Sequence, residues 1–359
     1  MADTAAATGL TVQQWDEKFF LENIQEDVFS DLYGEGENAV VQVKEDLTKK
    51  KGDTITFALI NRLTNDATTG SNTLEGSEED MTSRSFPLTV NKRRHAVLIS
   101  EIEEQKSSVG LREAAKPALK TWSQEHTRDA IITALGSING VAYASASEAQ
   151  KDAWLVDNAD RVLFGAARSN NSSNDHSASL ANIDATNDTL TRGAVDLMKR
   201  LARTASPKIR PVRDPGNGKK VYIAYAHPYA FRDLRSNLEG IMDDTTAAGQ
   251  AMKLFEGGDL MWGGVIIKEL EDMPVYAGVG ASSIDVAPVY VLGAQAIAYG
   301  TARRWKTVEK RFDYDDKAGV ALDAIDAFAK ITFGTGAADT DDLCDHGVVT
   351  GLFACVADA

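Results

Sequence analysis

Three short stretches of the chain carry residue types that could do chemistry. Gly278–Ser283, GVGASS, holds two glycines of a dinucleotide fingerprint and lacks the third, so the spacing that brings a backbone up to a pyrophosphate is incomplete. Asp313–Asp323, DYDDKAGVALD, starts like a calcium loop, with Asp313 and Asp315 at ligand positions. Lys317 then occupies a third ligand position and Gly319 comes one residue late, so the stretch reads as a solvated turn. Lys92–His95, KRRH, offers cations to a phosphate, but such a run equally suits a solvated strand face or pairing with acids on a partner. The five histidines (His95, His126, His176, His227 and His346) are scattered, none within four residues of another. No GxSxG, HExxH or phosphate loop occurs. Cys344 and Cys355 form no CxxC pair and no disulfide framework, which points to a reducing compartment. The residues thus define no catalytic, cofactor-binding or metal site. The expectation is a protein without a cofactor that is not an enzyme. An enzyme lacking any recognisable motif is the alternative, and a pocket with converging ionisable groups would reveal it.

Bulk properties narrow the class further. The chain has 359 residues, 43% hydrophobic and 25% charged, which is ordinary globular composition with length for one to three domains. A net charge of -15 repels nucleic-acid phosphates, so sequence-reading DNA binding is not expected. The first ten residues, MADTAAATGL, have neither a basic nor an apolar region of a secretory signal. The longest nearly apolar run, Val286–Gly300, is short for a membrane span and contains Pro288 and Gln295. A soluble protein made in a cytoplasm is expected.

The elements that would position these residues are of mixed α+β type, without regular βα alternation. Residues 1–40 carry nine acids against the single base Lys18. Within them Trp15, Phe19, Ile24 and Val28 stand at roughly helical intervals, as in a surface helix on its own domain or an arm packed on a neighbour. Ile55, Phe57 and Leu59 alternate as a half-buried strand just after Lys49, Lys50 and Lys51. Residues 61–84 follow, with Leu63, Leu74 and Met81 as their only large apolar groups and an acid cluster at Glu78, Glu79 and Asp80. A second strand begins at Ser85. Phe86, Leu88 and Val90 share one parity and Val97 and Ile99 the other, so the buried face switches near Lys92–His95. Residues 53–100 therefore read as a long hairpin with a polar tip, too thin to be stable without another surface to lie on, or else as two sheet strands joined by an ordinary flexible loop. Leu111, Ala115, Ala118 and Trp122, with Leu119 beside them, make a helical stripe that ends at Gly136, with Pro117 in conflict. Residues 138–190 are rich in Ala, Ser and Asn, and Ser169–Asn182 reads as an exposed loop. A helix over Arg192–Thr204 is followed by apolar strands, including one long strand across Pro288–Trp305. From Ala337 the chain has five acids and no Lys or Arg and reads as a surface tail or small cap.

These blocks, WDEKFFLENIQEDVFSDLYG, NAVVQVKEDLTKKKGDTITFALINRLTN, LEGSEEDMT, VNKRRHAV and LREAAKPALKTW, in this order and spacing, resemble the major capsid protein family of tailed phages related to coliphage N-four. The similarity is clear over Trp15–Gly136 and weaker through YIAYAHPYAFRDLR, LMWGGVIIKE and VLGAQAIAYGTARRW. The resemblance implies a Hong Kong 97-type capsid fold: an N-terminal arm (1–46), an extended hairpin loop (47–105), a peripheral domain with a spine helix and a variable insertion (106–215), an axial domain (216–298), a return to the peripheral domain (299–336) and an acidic C-terminal tail (337–359). It implies a major capsid protein that self-assembles, as hexamers and pentamers, into an icosahedral shell around double-stranded DNA. Scaffold, portal and cement or decoration proteins are partners of such a shell, no membrane is involved, and the protein would reside in the virion after assembly in the host cytoplasm. A bacterial nanocompartment shell of the same fold is the nearest alternative. Opposite charges on different segments suit head-to-tail contacts between copies. The expected inter-subunit contact residues are Trp15, Phe19 and Phe20 of the arm, Lys49, Lys50, Lys51, Glu78, Glu79 and Asp80 of the hairpin, and Lys92, Arg93 and Arg94. The hairpin has lysines, but the sequence identifies no partner asparagine or catalytic acid for a Lys–Asn crosslink.

Overall fold

The computed structural model describes residues 28–358 apart from 46, 48–51, 108–109, 214–217, 248–254 and 257–258, and gives backbone alone for 239–247 and 255–256. Trp15, Phe19, Phe20, Lys49, Lys50 and Lys51 lie outside the described residues. In chain order come β1 (Tyr33–Gly34), β2 (Val41–Lys44), β3 (Thr54–Ile60), β4 (Ser83–Thr89), β5 (Asn91–Ser100), α1 (Glu101–Lys106), α2 (Leu111–Leu135), α3 (Glu148–Asp157), β6 (Val162–Phe164), α4 (His176–Ala181), α5 (Arg192–Thr204), β7 (Val212–Arg213), β8 (Lys220–Ala226) and α6 (Pro228–Ala247). The chain continues through β9 (Phe255–Glu256), β10 (Asp259–Trp262), β11 (Val265–Glu269), β12 (Val286–Leu292), β13 (Ile297–Phe312), β14 (Lys317–Lys330), β15 (Thr332–Gly334), β16 (Leu343–Asp345) and β17 (Val348–Ala354).

The central strands of the larger sheet, β8, β12 and β17, are almost continuously apolar because both of their faces are covered. That sheet runs β6-β17-β12-β8-β11-β10-β9, with β7 beside β8. On one face α5 buries Val195, Met198 and Leu201 against Val289, Val349 and Phe353, together with Leu234 and Leu238 of α6. Thr191 caps α5 by accepting from the Ala194 N–H, one of the four orphan donors at a helix start. On the other face Phe29, Leu32 and the end of α2 (Ile131, Ile132, Leu135) pack on Tyr225 and Tyr290. Beside them α3, β6 and α4 enclose Trp154, Leu155, Phe164, Leu180 and Ile183.

The second sheet, β1-β2-β13-β14-β5, is built on one long hairpin. β13 and β14 pair from Ile297↔Lys330 to Phe312↔Lys317, with register shifts between Thr301 and Lys306. β5 continues the sheet on the far side of β14, from Asn91↔Asp326 to Ser100↔Lys317. α2 lies across it, with Leu119 buried against Val320 and Leu322. The helix passes through Pro117, whose missing N–H removes one intrahelical bond. Its buried stripe is Ala115, Leu119 and Ser123, while Ala118 is exposed.

Three sequence expectations are corrected. Residues 337–359 are not a tail. Three of their five acids (Asp339, Asp341 and Asp342) gather in the turn between β15 and β16, while Val348–Ala354 is the fully buried β17, antiparallel to β12 and parallel to β6. Counting acids over the whole stretch hid an apolar strand of seven residues. Ser169–Asn182 is not an open loop: it contains α4, capped by the Asp175 carboxylate accepting from Ala178 N–H, and buries His176, Ser179 and Leu180. The apolar run across residues 288–305 is two strands in two sheets. The chain turns between them at Gly293, where a Cβ would come within 2.5 Å of the Arg210 carbonyl oxygen, and at Gln295, with φ 58°.

One ion pair is sealed inside. Lys330 Nζ lies 2.7 Å from Asp345 Oδ2, both side chains 1% exposed, and Trp154 Nε1 donates to the same oxygen at 3.2 Å. Removing one partner of such a pair strands the other charge. Asp345→Ala should lower unfolding stability by about 3–5 kcal/mol in urea titration, and Lys330→Met with Asp345→Leu should recover most of that loss. A chain ending at Gly347 should yield no soluble folded protein, whereas loss of a mere tail would leave expression and circular dichroism intact.

Candidate assembly surfaces

The ribbon formed by β3 and β4 divides into a covered base and a bare tip. The strands pair from Thr54↔Thr89 to Ile60↔Ser83. Alternation puts Ile55, Phe57, Leu88 and Val90 on one face, and that face is buried against Ala298, Ile331 and Phe333 of the same chain. The Arg84 guanidinium donates to the Gly336 carbonyl (2.5 Å), Ser85 Oγ donates to Asp339 (2.5 Å), and Lys44 Nζ donates to the Thr56 carbonyl (2.8 Å). The ribbon base therefore has a surface within its own chain. The parity switch has a plain cause: β4 pairs with β3, and just past Val90 the chain becomes β5 and pairs with β14 instead.

The tip, residues 61–82, has no such surface. Leu63, Leu74 and Met81 are 60%, 64% and 71% exposed. The tip holds its shape with polar contacts. Glu79 accepts from the backbone N–H groups of Thr64 (2.7 Å) and Asn65 (2.8 Å) and from Thr64 Oγ1 (3.1 Å). Those backbone donors hold its carboxyl below the usual range. Glu78 accepts from Gly76 N–H at 2.7 Å, and Asp80 is exposed.

Lys92, Arg93 and Arg94 alternate along β5, so they do not act as one patch. Arg93 Nε donates to Asp326 Oδ1 at 2.6 Å, and its guanidinium sits 5.3 Å from the Phe328 ring and 5.8 Å from that of Trp305. Arg93 thus serves its own chain. Lys92 lies 3.6 Å from Asp323, which Arg303 also contacts at 2.6 Å, and Arg94 is exposed. Next to them His95, Trp122 and His126 stack between β5 and α2, with ring centroids 4.7 and 5.0 Å apart. Desolvation, then the nearby Arg93 charge, pushes the His126 pKa down.

A second projection escaped the sequence reading. The β13–β14 hairpin ends in Asp313, Tyr314 and Asp315, all at positive φ, with Phe312 and Tyr314 exposed. Its stem is tied to the start of α2 by Glu309, which meets Arg112 at 2.5 Å and Lys116 at 3.0 Å. Only the face change along Lys306–Phe312, where polar residues take over both sides of a strand, hinted at a ribbon leaving the body.

Among the described residues the groups able to hold a metal reduce to Glu148, Asp152 and Asp175, whose oxygens lie within 4.8 Å of one another. Asp152 and Asp175 already accept the backbone N–H groups of His176 and Ala178, each at 2.8 Å, which accounts for them as supports of α4. Burial pushes the Cys344 thiol up to about 12 and the Cys355 thiol up to about 11, so both are poor nucleophiles.

An exposed ribbon tip, a second exposed hairpin end and buried, protonated thiols describe a body made to touch other bodies. Residues 3–351 match the family described as phage capsid protein. The chain belongs to that family. The major capsid protein of Pseudomonas phage KPP25 is 27% identical over 325 residues, 84% of each chain. The capsid asymmetric unit of cyanophage Pam1 aligns over 100% of both chains with TM-score 0.85 at 29% identity. The capsid of Ralstonia phage GP4 aligns over 100% of both with TM-score 0.77 at 21% identity, a likeness of fold. The fold is of the Hong Kong 97 type. This phage capsid protein is a major capsid protein, a structural component of the virion, and its copies form the capsid shell.

The sign of the Glu79 shift sets a pH dependence. Its folded pKa is depressed, so its contribution is complete above the ordinary glutamate range and is lost as pH falls through the folded value. Glu79→Gln should speed exchange at the Thr64 and Asn65 amides at neutral pH, after correction for intrinsic rates. The wild-type tip should approach the variant on acidification.

Proposed function

We propose that the capsid protein builds an icosahedral shell of hexamers and pentamers around the double-stranded DNA of a tailed phage, and that the ribbon tip is a principal contact between neighbouring subunits. The observation that carries the proposal is the contrast along the ribbon. Its base is covered by the same chain, whereas the tip presents Leu63, Leu74 and Met81 to solvent. Burying them on a neighbour would remove apolar area from water at about 25 cal/mol per Å². The tip is formed before association, because Glu79 ties its two sides together, so little ordering entropy opposes docking.

In this reading residues 1–46 form the arm, 47–105 the extended loop, 106–215 and 299–336 the peripheral domain with α2 as its spine, and 216–298 the axial domain. Residues 337–359 belong to the body rather than to a tail. Glu78, Asp80, Lys92 and Arg94 are contact candidates on exposed ground, and Lys49, Lys50 and Lys51, just before β3 in sequence, and Trp15, Phe19 and Phe20 are candidates outside the described residues. Glu79 and Arg93 act by shaping surfaces within their own chain. The protein works by association and not by catalysis. Assembly takes place in the host cytoplasm, with scaffold, portal and cement proteins as partners. The net charge of -15 suits a wall that does not hold its packaged DNA.

The experiment is size-exclusion chromatography with light scattering and electron microscopy of the expressed chain, with scaffold added where the chain alone stays monomeric. Closed shells, tubes or capsomer rings are expected. Leu63→Ser, Leu74→Ser and Met81→Ser together should abolish these while leaving circular dichroism and the unfolding midpoint unchanged. Normal shells from the triple variant would remove the tip from the contact.

A further inference from the structure

His176 opens α4, and its side chain is 1% exposed. Its ring is held between Tyr143 and Phe164, with centroids 5.6 and 5.9 Å away, and Tyr143 Oη lies 3.3 Å from Nε2. The other nitrogen, Nδ1, is buried and has no hydrogen-bond partner. Glu148 Oε1 lies 3.3 Å from it, near enough for a hydrogen bond but out of line for one. Buried polar atoms are almost always paired, so an unpaired one aimed at a carboxylate calls for a reason. That carboxylate belongs to the trio Glu148, Asp152 and Asp175, whose oxygens lie within 4.8 Å of one another. Glu148 and Asp152 stand four positions apart on α3 and so share a face, and Asp175 is the cap of α4. The bonds that support α4 go to Asp152 Oδ1 and Asp175 Oδ1, and each carboxylate has a second oxygen.

We propose that Glu148, Asp152, Asp175 and His176 Nδ1 form a site for a divalent transition-metal ion, zinc above all, that ties α3 to α4. The spacing fits. Ligands at about 2.0–2.2 Å from a tetrahedral zinc stand roughly 3.3–3.6 Å from each other. Nδ1 and Glu148 Oε1 are 3.3 Å apart, so the two atoms that are misaligned for a shared proton are placed as two ligands of one ion. Glu148 and Asp175 are exposed, and small rotations of their side chains draw the remaining oxygens in. The donor set selects the ion: imidazole with carboxylates suits zinc, whereas calcium and magnesium take oxygen ligands. Tyr143 gives the outer support, since a ligating imidazole is oriented by what its other nitrogen bonds. Glu148 and His176 both line a groove of about 860 Å³ beside α2, which gives an ion its way in from solvent. Lys151 Nζ, 3.8 Å from Glu148 and 4.3 Å from the centre of the Tyr143 ring, is the cation that the ion displaces from that carboxylate. The sequence concealed the site because His176 comes 24 positions after Asp152, and only the packing of α3 on α4 joins them. The site belongs to the fold of one chain and is separate from the contacts between copies.

The test is titration of the full-length, tag-free protein with zinc ions by isothermal calorimetry after chelator treatment, with Co²⁺ as a coloured probe. One saturable site per chain is expected, with a higher unfolding midpoint in zinc and the intense visible absorption of tetrahedral Co²⁺. Glu148→Gln with Asp152→Asn should abolish all three. Both replacements keep an oxygen that accepts hydrogen bonds, so α4 keeps its support and the metal-free midpoint should hold. Tyr143→Phe should weaken zinc binding about 10–100-fold by releasing the imidazole. Lys151→Met should tighten it, because the ion no longer competes with an ammonium for Glu148. A cluster that only supports α4 would show neither change. Absence of a saturable site in the unaltered protein would overturn the proposal. So would binding that survives Glu148→Gln with Asp152→Asn, which would place the zinc elsewhere, as at His95 and His126. Should that double variant lose its metal-free stability, Lys151→Met decides: binding no tighter than in the unaltered protein overturns the site.

Discussion

Leu119 of α2 is buried against Val320 and Leu322 of the five-stranded sheet, and about three turns farther along the same helix Ile131, Ile132 and Leu135 are buried with Tyr225 and Tyr290 of the larger sheet. A single rigid rod thus supplies core to both sheets, and their relative placement depends on it. The second link is the turn from β12 to β13, which passes the chain from one sheet to the other through Gly293, where there is no room for a side chain. The two links meet in one cluster, where Leu292 and Ile297 on either side of the turn pack with Ile131, Ile132 and Leu135, and leave the body little freedom to flex between its sheets. Adaptation to different neighbours then falls to what projects from that body.

The projections are built differently from the body. The ribbon base is held by apolar burial, the ribbon tip by the Glu79 carboxylate and a few backbone donors, and the β13–β14 tip by left-handed turn residues and the Lys317–Asp313 pair at 3.0 Å. Polar contacts of exposed groups contribute little to folding stability. They are enough to hold a shape and weak enough to let it yield when a partner arrives. The buried cations do the opposite work. Arg93 on Asp326, and Lys330 on Asp345, lock strands of the body and are withdrawn from any neighbour.

Much of this is legible in local pattern. The alternation of Ile55 and Phe57, the parity switch after Val90 and the apolar-poor stretch 61–82 identify the ribbon and its bare tip, because side-chain direction in a strand is set by position alone. The helix stop at Gly136 and the helix over Arg192–Thr204 follow from periodicity and capping in the same way. Where the reading failed, averages replaced patterns. An acid count from Ala337 onward concealed the seven-residue buried strand β17, and Asn and Ser content concealed the capped helix that buries His176.

By itself the sequence determined the class of the molecule: mixed α+β, acidic, without catalytic motif, with a strand pair that leads to residues having nothing to bury. Those properties depend on neighbours within a few positions, where residue type and spacing carry the physics. Only the tertiary structure decided which charges are spent inside and which remain outside. Lys92, Arg93 and Arg94 are consecutive and chemically alike, yet Arg93 is committed to Asp326, 233 positions away, and Arg94 stays exposed. The pairing follows from the register of β5 on β14, and a register between distant strands is settled by the packing of the whole core and not by the residues it brings together.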